Sequence, residues 1–255
     1  MKVSVLASGS KGNCTYIETP NNHILIDLGL TSLAIEKRLM MLGISPSIIN
    51  AILITHTHSD HIGGLKVFVK KYHPKVYLTK KMYEDLKDII KEEDIEIIDS
   101  DFNLNDTNIQ IIKTSHDVTD SNGYIFNHNN KSIVYITDTG YINKKHHDKL
   151  KNHNVYIFES NHDIDKLRHG KYPYHLQQRI LSDEGHLSNK DSSYYLSNFI
   201  GEKTSNIILA HLSEENNSEE LAYKTLIDTL EKYNKKVNKI EIAKQDKEMD
   251  LIEIW

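Results

Sequence analysis

The stretch from Ile52 to Leu65, ILITHTHSDHIGGL, sets three imidazoles and a carboxylate directly behind a β-branched and aliphatic run. A buried strand ending in a sharp turn would deliver His56, His58, Asp60 and His61 to nearly one place. Neutral imidazole and carboxylate are ligands for Zn²⁺ and its neighbours Mn²⁺ and Fe²⁺, whereas Ca²⁺ and Mg²⁺ sites are built mostly from oxygen. The two histidines of H-x-H can approach one ion together. Asp60 and His61 then face a point where a second ion can sit, and two-metal hydrolytic sites hold their ions about 3.5–4 Å apart. Gly63 and Gly64 free the backbone to turn before the helix suggested by LKVFVKKY. With 15 histidines in 255 residues some clustering arises by chance. Four residues of ligand type packed behind one strand argue against accident.

Other residues of ligand type each close an apolar, strand-like run: Asp27 after HILI, His116 after the strands of Phe102 to Lys113, Asp138 after KSIVYIT, Glu159 after VYIF, and His211 after NIILA. Strand ends gather on one rim of a layered α/β fold, where ligands collect, so residues far apart in sequence can converge. Asp27 either accepts the free N–H of a ligating imidazole and fixes its tautomer, or caps the helix that follows. KVSVLAS and NCTYIET read as a hairpin around GSKG, and Thr31 to Leu42 as a helix stopped by Gly43. Lys80 to Ile90 reads as a helix. NGYIFNH and KSIVYI read as a strand pair joined at Asn129 and Asn130. The basic run Lys144 to Lys151, with His146 and His147, reads as a solvated helix face. Each half of the chain is several strands followed by helices, as expected of two sheets packed between helical layers, and residues 1–255 are expected to form one domain.

At 38% hydrophobic and 26% charged residues the composition is that of a soluble globular protein. The net charge of -5 excludes a general attraction to nucleic acid or membrane, so a polyanion must be gripped locally. The lone Cys14 excludes an internal disulfide and leaves too few thiolates for a structural zinc cage. No apolar run is long enough for a bilayer, and VSVLA after Lys2 is too short for a signal peptide. A cytoplasmic protein without a membrane partner is the expectation.

The series of an early Asp, H-x-H-x-D-H, a His, an Asp and a last His resembles that of the metallo-β-lactamase superfamily. It is filled here by Asp27, by His56, His58, Asp60 and His61, and by His116, Asp138 and His211. The resemblance implies an α/β fold, an αββα four-layer sandwich of two mixed β-sheets flanked by helices, with two divalent ions, Zn²⁺ or Mn²⁺, at one edge. It implies His56, His58 and His116 on the first ion, Asp60, His61 and His211 on the second, and Asp138 bridging them. Water held between two such ions loses a proton near neutral pH, which would supply a hydroxide nucleophile with Asp60 as part of the catalytic set. Asp138 stands where β-lactamases carry a Cys, and His58 where flavodiiron oxidoreductases carry a Glu. The 73 positions from Asp138 to His211 are too few for the inserted domain of ribonuclease J-like nucleases. Transfer-RNA 3′-processing enzymes share the ligand set but usually carry a glycine- and proline-rich arm that this sequence lacks. LASGSKGNCTYIE, THTHSDHIGGL, TSHDVTDSNGYIF, TDTGYI, FESNHD, KYPYHLQQRILSDEGHLSN and LAHLSEENN, spanning Leu6 to Asn217, resemble the YycJ (WalJ) family of small nucleases. That likeness implies 5′-to-3′ exonuclease action on DNA.

Phosphodiester cleavage needs a proton for the leaving oxygen and donors for the non-bridging oxygens. The resemblance makes His186, in EGHLSN, the candidate acid, with Glu159 orienting it; the competing reading is a helix entry with Ser188 as N-cap. Arg168, Lys171, Tyr172, Tyr174 and Arg179 form a basic and aromatic patch that could hold phosphate and stack on a base, or be a solvated face. The loop Ser8 to Asn13 could offer N–H groups or Lys11 to phosphate, or be a plain turn. The expectation is a metal-dependent phosphodiesterase acting on nucleic acid, DNA above all. The rival enzyme is a hydrolase of a thioester, lactone or cyclic phosphodiester. A binding module with a structural metal is disfavoured because the ligand set leaves room for water.

Overall fold

The apolar runs become strands because both of their faces find apolar partners. In the computed structural model, which describes residues 1–254, β1 (Lys2–Ala7), β2 (Cys14–Thr19) and β3 (Asn22–Ile26) run antiparallel, and β4 (Ala51–Leu53), β5 (Lys75–Leu78) and β6 (Ile95–Ile97) add in parallel. The second sheet repeats the plan. Its strands β7 (Phe102–Leu104), β8 (Thr107–Lys113), β9 (Asn122–His128) and β10 (Lys131–Ile136) are antiparallel, and β11 (Val155–Glu159), β12 (Asn206–Ala210) and β13 (Lys239–Ile242) are parallel. Short β14 (Ile252–Glu253) returns to β1, which makes two seven-stranded sheets.

Alternate residues of each strand face opposite layers. Ile133, Tyr135, Val155 and Ile157 meet Val5, Ile24, Ile26 and Leu53 between the sheets. Their neighbours Val134, Ile136, Tyr156 and Phe158 face outward onto α7 (Asn189–Phe199) and α8 (Glu219–Lys232). On the other side, α1 (Ser32–Met41), α3 (Leu65–Tyr72) and α4 (Lys80–Leu86) cover Leu25, Ile52 and Val76. The result is the αββα sandwich, with the central strands buried on both faces. Each such buried side chain contributes about 1.5–3 kcal/mol relative to exposure. Three further helices are short: α2 (Ser59–Ile62) follows β4, and α5 (Ile164–His169) and α6 (Tyr174–Ile180) precede α7.

Local expectations meet mixed outcomes. Gly43 stops α1 at φ 75°, with Ile44 N–H donating to the Leu39 carbonyl. Asn129 and Asn130 take φ of 47° and 64° and make the two-residue turn of the β9–β10 hairpin. Thr31 caps α1 by accepting from Ala34 N–H, so Asp27 is left for other work. Lys144 to Lys151 is not a solvated helix face. Only Lys144–His146 is helical, a 3₁₀ turn, and His146 and Leu150 are buried while the lysines stay outside. No helix among the described residues is long and apolar enough to cross a membrane.

Candidate metal centre

The backbone itself turns three of the residues. Asp27 and His211 directly follow β3 and β12, Asp138 lies two positions past β10, and their φ angles are 58°, 57° and 53°. A left-handed conformation is unfavourable for side chains with a Cβ and persists where surrounding structure over-determines it, commonly at functional sites. The turn after β4 is braced from the loop after β3 and from the GSKGN loop. Leu28 N–H donates to the His61 carbonyl (2.7 Å), Asn13 N–H to the Asp60 carbonyl (2.8 Å) and Gly64 N–H to the Leu28 carbonyl (2.7 Å). Gly29 has to lack a side chain, because a Cβ there would lie 1.6 Å from the Asp60 carbonyl oxygen.

Donor atoms converge on this rim. His56 Nε2 and His58 Nδ1 face each other at 3.2 Å, close to the roughly 3.3 Å between two imidazole nitrogens sharing one tetrahedral zinc. Donor atoms of His56, His58 and His116 all lie within 4.8 Å of one another, as do those of Asp60, His61 and His211. Asp138 stands between the two groups. Its Oδ2 is 3.2 Å from His61 Nε2, and its Oδ1 is 3.4 Å from His211 Nε2 and 3.9 Å from His116 Nε2. Among the described residues Asp138 Oδ2 and His211 Nε2 are buried without a hydrogen-bond partner. Orphaned buried polar atoms are rare and costly, and a cation would satisfy both. The residues fit two divalent ions.

Hydrogen bonds on the far ring nitrogens assign the tautomers. His61 Nδ1–H donates to Asp27 Oδ2 (2.8 Å), which leaves Nε2 facing Asp138. Thr55 Oγ1 donates to the same Asp27 Oδ2 (2.7 Å), so it accepts from His56 Nδ1–H (3.0 Å). One buried carboxylate therefore sets His61 directly and His56 through a hydroxyl. His116 Nδ1–H donates to the Gly185 carbonyl (3.2 Å), and His211 Nδ1–H to Glu159 Oε1 (3.2 Å). Carboxylate and carbonyl partners of this kind orient metal-ligating histidines and raise their basicity.

Without ions the same charges hold protons. Burial alone would lower His61, but Asp138 and Asp27 raise it to about 10. Burial likewise opposes protonation of His211, yet Asp138, Asp60 and Glu159 lift it well above the usual histidine value. Asp138, which burial would raise, is held well below the carboxylate range by His211 and His61. His56 is pushed well below its usual value, first by burial and then by His61. Loading cations must expel the protons from His61 and His211.

The groups beyond the ligand set divide. His186 Nδ1 lies 2.7 Å from Glu159 Oε1, whose Oε2 accepts from Thr139 N–H and Leu187 N–H. Glu159 is thus shared by His186 and His211, and although burial would raise it, His186 above all keeps it at about 2. Ser188 caps α7, so the helix entry and the placement of His186 coexist. His186, Tyr172 and Arg179 line a cleft of about 280 Å³ that also exposes His58, Asp60, His116, Asp138 and His211. Arg168, Lys171 and Tyr174 lie outside that lining: Arg168 is exposed on α5, Lys171 pairs with Glu215 at 3.6 Å, and Tyr174 is 75% exposed. Lys11 pairs with Glu214 at 2.7 Å, while Ser10 of the same loop reaches the cleft. Sequence reading missed Thr55, Gly185, Asn13 and Asp117. Asp117 bonds to Arg179 and stands 3.5 Å from His116 Nε2, and Asn13 Nδ2 stands 3.0 Å from His61 Nε2. Adjacency to His56 and His116 was the available signal for Thr55 and Asp117.

Comparison with known proteins is consistent with this geometry. Residues 22–199 match the family model described as the beta-lactamase superfamily domain. The chain is 37% identical over 233 residues to "Exodeoxyribonuclease YycJ" of Bacillus anthracis, covering 89% of this chain and 88% of that protein. It is 38% identical over 236 residues to "Exodeoxyribonuclease WalJ" of Streptococcus pneumoniae, covering 90% and 88%. Among solved structures, the metallo-beta-lactamase fold protein YhfI from Bacillus subtilis superimposes with a TM-score of 0.74 at 16% identity, covering 98% and 99% of the two chains, a likeness of fold.

Proposed function

The chain belongs to the β-lactamase superfamily, as a metal-dependent hydrolase close to the YycJ and WalJ exodeoxyribonucleases, and from that premise we propose that it cleaves phosphodiester bonds in nucleic acid with two divalent ions. The observation that carries the reading is the convergence of donor atoms of His56, His58, Asp60, His61, His116, Asp138 and His211, with His58, Asp60, His116, Asp138 and His211 lining a cleft that also holds a carboxylate-bound imidazole and an arginine. His56, His58 and His116 would hold one ion, Asp60, His61 and His211 the other, and Asp138, whose carboxylate lies near His61, His211 and His116, would bridge them. Zn²⁺ and Mn²⁺ both suit these donors. When bound, the ions would lower the pKa of a water and neutralise charge on the phosphate.

The protein's own groups do the rest. Glu159 holds His186 by Nδ1, leaving Nε2 as the nitrogen that can hand a proton to the leaving oxygen. Arg179, on the cleft wall, can take two phosphate oxygens at once, and Tyr172 offers a ring to a base. DNA as substrate follows the relatives' names, and the 5′-to-3′ direction the sequence resemblance alone. A second reading, a small phosphodiester such as a cyclic nucleotide, is favoured by the modest volume of the cleft.

The test is cleavage of end-labelled single- and double-stranded DNA and RNA by metal-stripped protein resupplied with Zn²⁺ or Mn²⁺, beside an Asp60→Ala, His61→Ala double variant. Stepwise nucleotide release, lost in the variant, is the expected outcome. Protein that binds two ions yet cuts no nucleic acid would overturn the reading in favour of the small substrate.

A further inference from the structure

We infer that the cleft takes one terminal nucleotide, holds it through a single phosphate that displaces Asp117 from Arg179, and releases the strand after each cut. This rests on the nuclease reading above and narrows it to a distributive enzyme acting on ends.

The cleft of about 280 Å³ is lined by Leu176, Arg179 and Ile180 of α6 and by Ser10 and Ser213 beside the candidate ligands, which leaves room on the scale of one nucleotide. A strand leaving the cleft next meets cations already engaged. Lys11 is held by Glu214 at 2.7 Å, Lys171 faces Glu215 at 3.6 Å, and Lys166 donates to the Asn217 carbonyl at 2.8 Å. Glu214 and Glu215 belong to the loop that begins at His211, so the segment carrying a candidate ligand also neutralises the rim. Among the described residues neither Lys166, held by a carbonyl, nor Arg168, exposed on α5, pairs with an acid, and both lie outside the lining. The overall charge of -5 supplies no background attraction to compensate.

Arg179 differs from these cations in reaching the cleft itself. Its side chain is 56% exposed and its partner Asp117 26% exposed, and an ion pair so placed is worth little in water. Asp117 Oδ1 is buried without a hydrogen-bond partner among the described residues and lies 3.5 Å from His116 Nε2. Once Arg179 turns to a phosphate, Asp117 remains beside that imidazole and the positive charge it serves. None of α6 is fully buried, so Arg179 can turn without unpacking a core. Asp117 holds the guanidinium through one oxygen, Oδ2, whereas a phosphate can engage it through two.

Salt sensitivity reports how many phosphates are gripped, because each neutralised phosphate of a single strand contributes about -0.7 to the slope of log affinity against log salt. With one or two contacts, kcat/KM falls about 3- to 7-fold between roughly 50 and 200 mM salt; a track of 6–10 contacts would lose on the order of 10²- to 10⁴-fold. The experiment uses the metal-loaded protein on labelled strands from dinucleotides to about 30-mers, with and without an excess of heparin added after binding. Expected are a one-step ladder that heparin halts after a single cut, rates per end nearly independent of length, and the shallow salt slope. Arg179→Ala should raise KM about 10-fold with a smaller change in kcat, Arg179→Lys should recover part of it, and Asp117→Asn should lower KM several-fold. Strands digested to the end in the presence of heparin, a steep salt slope, or an Asp117→Asn KM that rises like that of Arg179→Ala would each overturn the inference while leaving the nuclease reading intact. Failure to cut at any length would remove both.

Discussion

Replacing Asp27 by Asn changes one buried oxygen for an NH₂ group and should disturb both ion positions at once. In the wild type, Asp27 Oδ1 accepts from Thr55 N–H at 2.8 Å, and Oδ2 accepts from His61 Nδ1–H at 2.8 Å and Thr55 Oγ1–H at 2.7 Å. Asn can keep the first contact. Its NH₂ then faces His61 Nδ1, which must give up its proton, and Thr55 Oγ1, which must turn its own proton toward His56 Nδ1. Both imidazoles are left with the proton on Nε2, the atom meant for the ion. A hydrogen bond to a charged group is worth about 1.5–3 kcal/mol, and about 1.4 kcal/mol is tenfold in affinity. The expected loss is therefore about 10- to 100-fold at each position, the range typical of groups that orient metal-bound histidines. The assay is competition with a chromophoric chelator, read for both ions, on protein whose circular dichroism matches wild type. Thr55→Val is the internal control: it keeps the bond between Asp27 and His61 and disconnects His56, so only one ion should weaken. Wild-type affinity for both ions in Asp27→Asn would refute the relay.

Glu159→Gln should act on the other side of the centre, because Glu159 Oε1 serves both His186 and His211; kcat is expected to fall about 100-fold or more while one ion is weakened, measured by steady-state kinetics and chelator competition. In metal-free protein, His61 titrates at about 10 in the fold against about 6.5 unfolded, so its stabilising proton is fully present below pH 6.5 and lost as pH rises through 10. Ion loading near neutral pH should consequently release at least one proton, visible as a buffer-dependent binding enthalpy; no release would contradict the assigned charges. His162 has the opposite sign. It is buried, neither ring nitrogen has a hydrogen-bond partner among the described residues, and burial lowers it to about 4. The unfolded chain takes its proton first, so stability is unaffected above pH 6.5 and declines by about 3 kcal/mol as pH falls to 4. Urea unfolding of wild type against His162→Leu should show that gap closing with acid, and parallel curves would dismiss it.

The candidate donor cluster was legible because it is written locally or at strand ends. H-x-H-x-D-H lies within one turn, and Asp27, His116, Asp138 and His211 each follow an apolar run whose alternation is itself dictated by burial on two faces. The means of aiming them was not legible. Left-handed φ at Asp27, Asp138 and His211 is imposed by crossings such as Leu28 N–H to the His61 carbonyl, not by glycine in those positions. Gly185 receives His116 from 69 positions away through a carbonyl, an atom every residue carries. The partners of the cations were hidden for a related reason: Lys11 of the GSKGN loop and Lys171 and Arg179 of the basic patch are plain in the sequence, but the acids that engage them sit 203, 44 and 62 positions away. At Lys144 to Lys151 charge density suggested a wet helix, while His146 and Leu150 were supplying the inward contacts.

The most direct measurement of the central claim is hydrolytic activity against equivalents of Mn²⁺ or Zn²⁺ added to metal-free protein, with bound metal counted at each point, for wild type and His211→Ala. The dinuclear account predicts little activity through the first equivalent, full activity at the second, and a variant that binds one ion and stays inactive. Full activity at a single equivalent, or in His211→Ala, would contradict it.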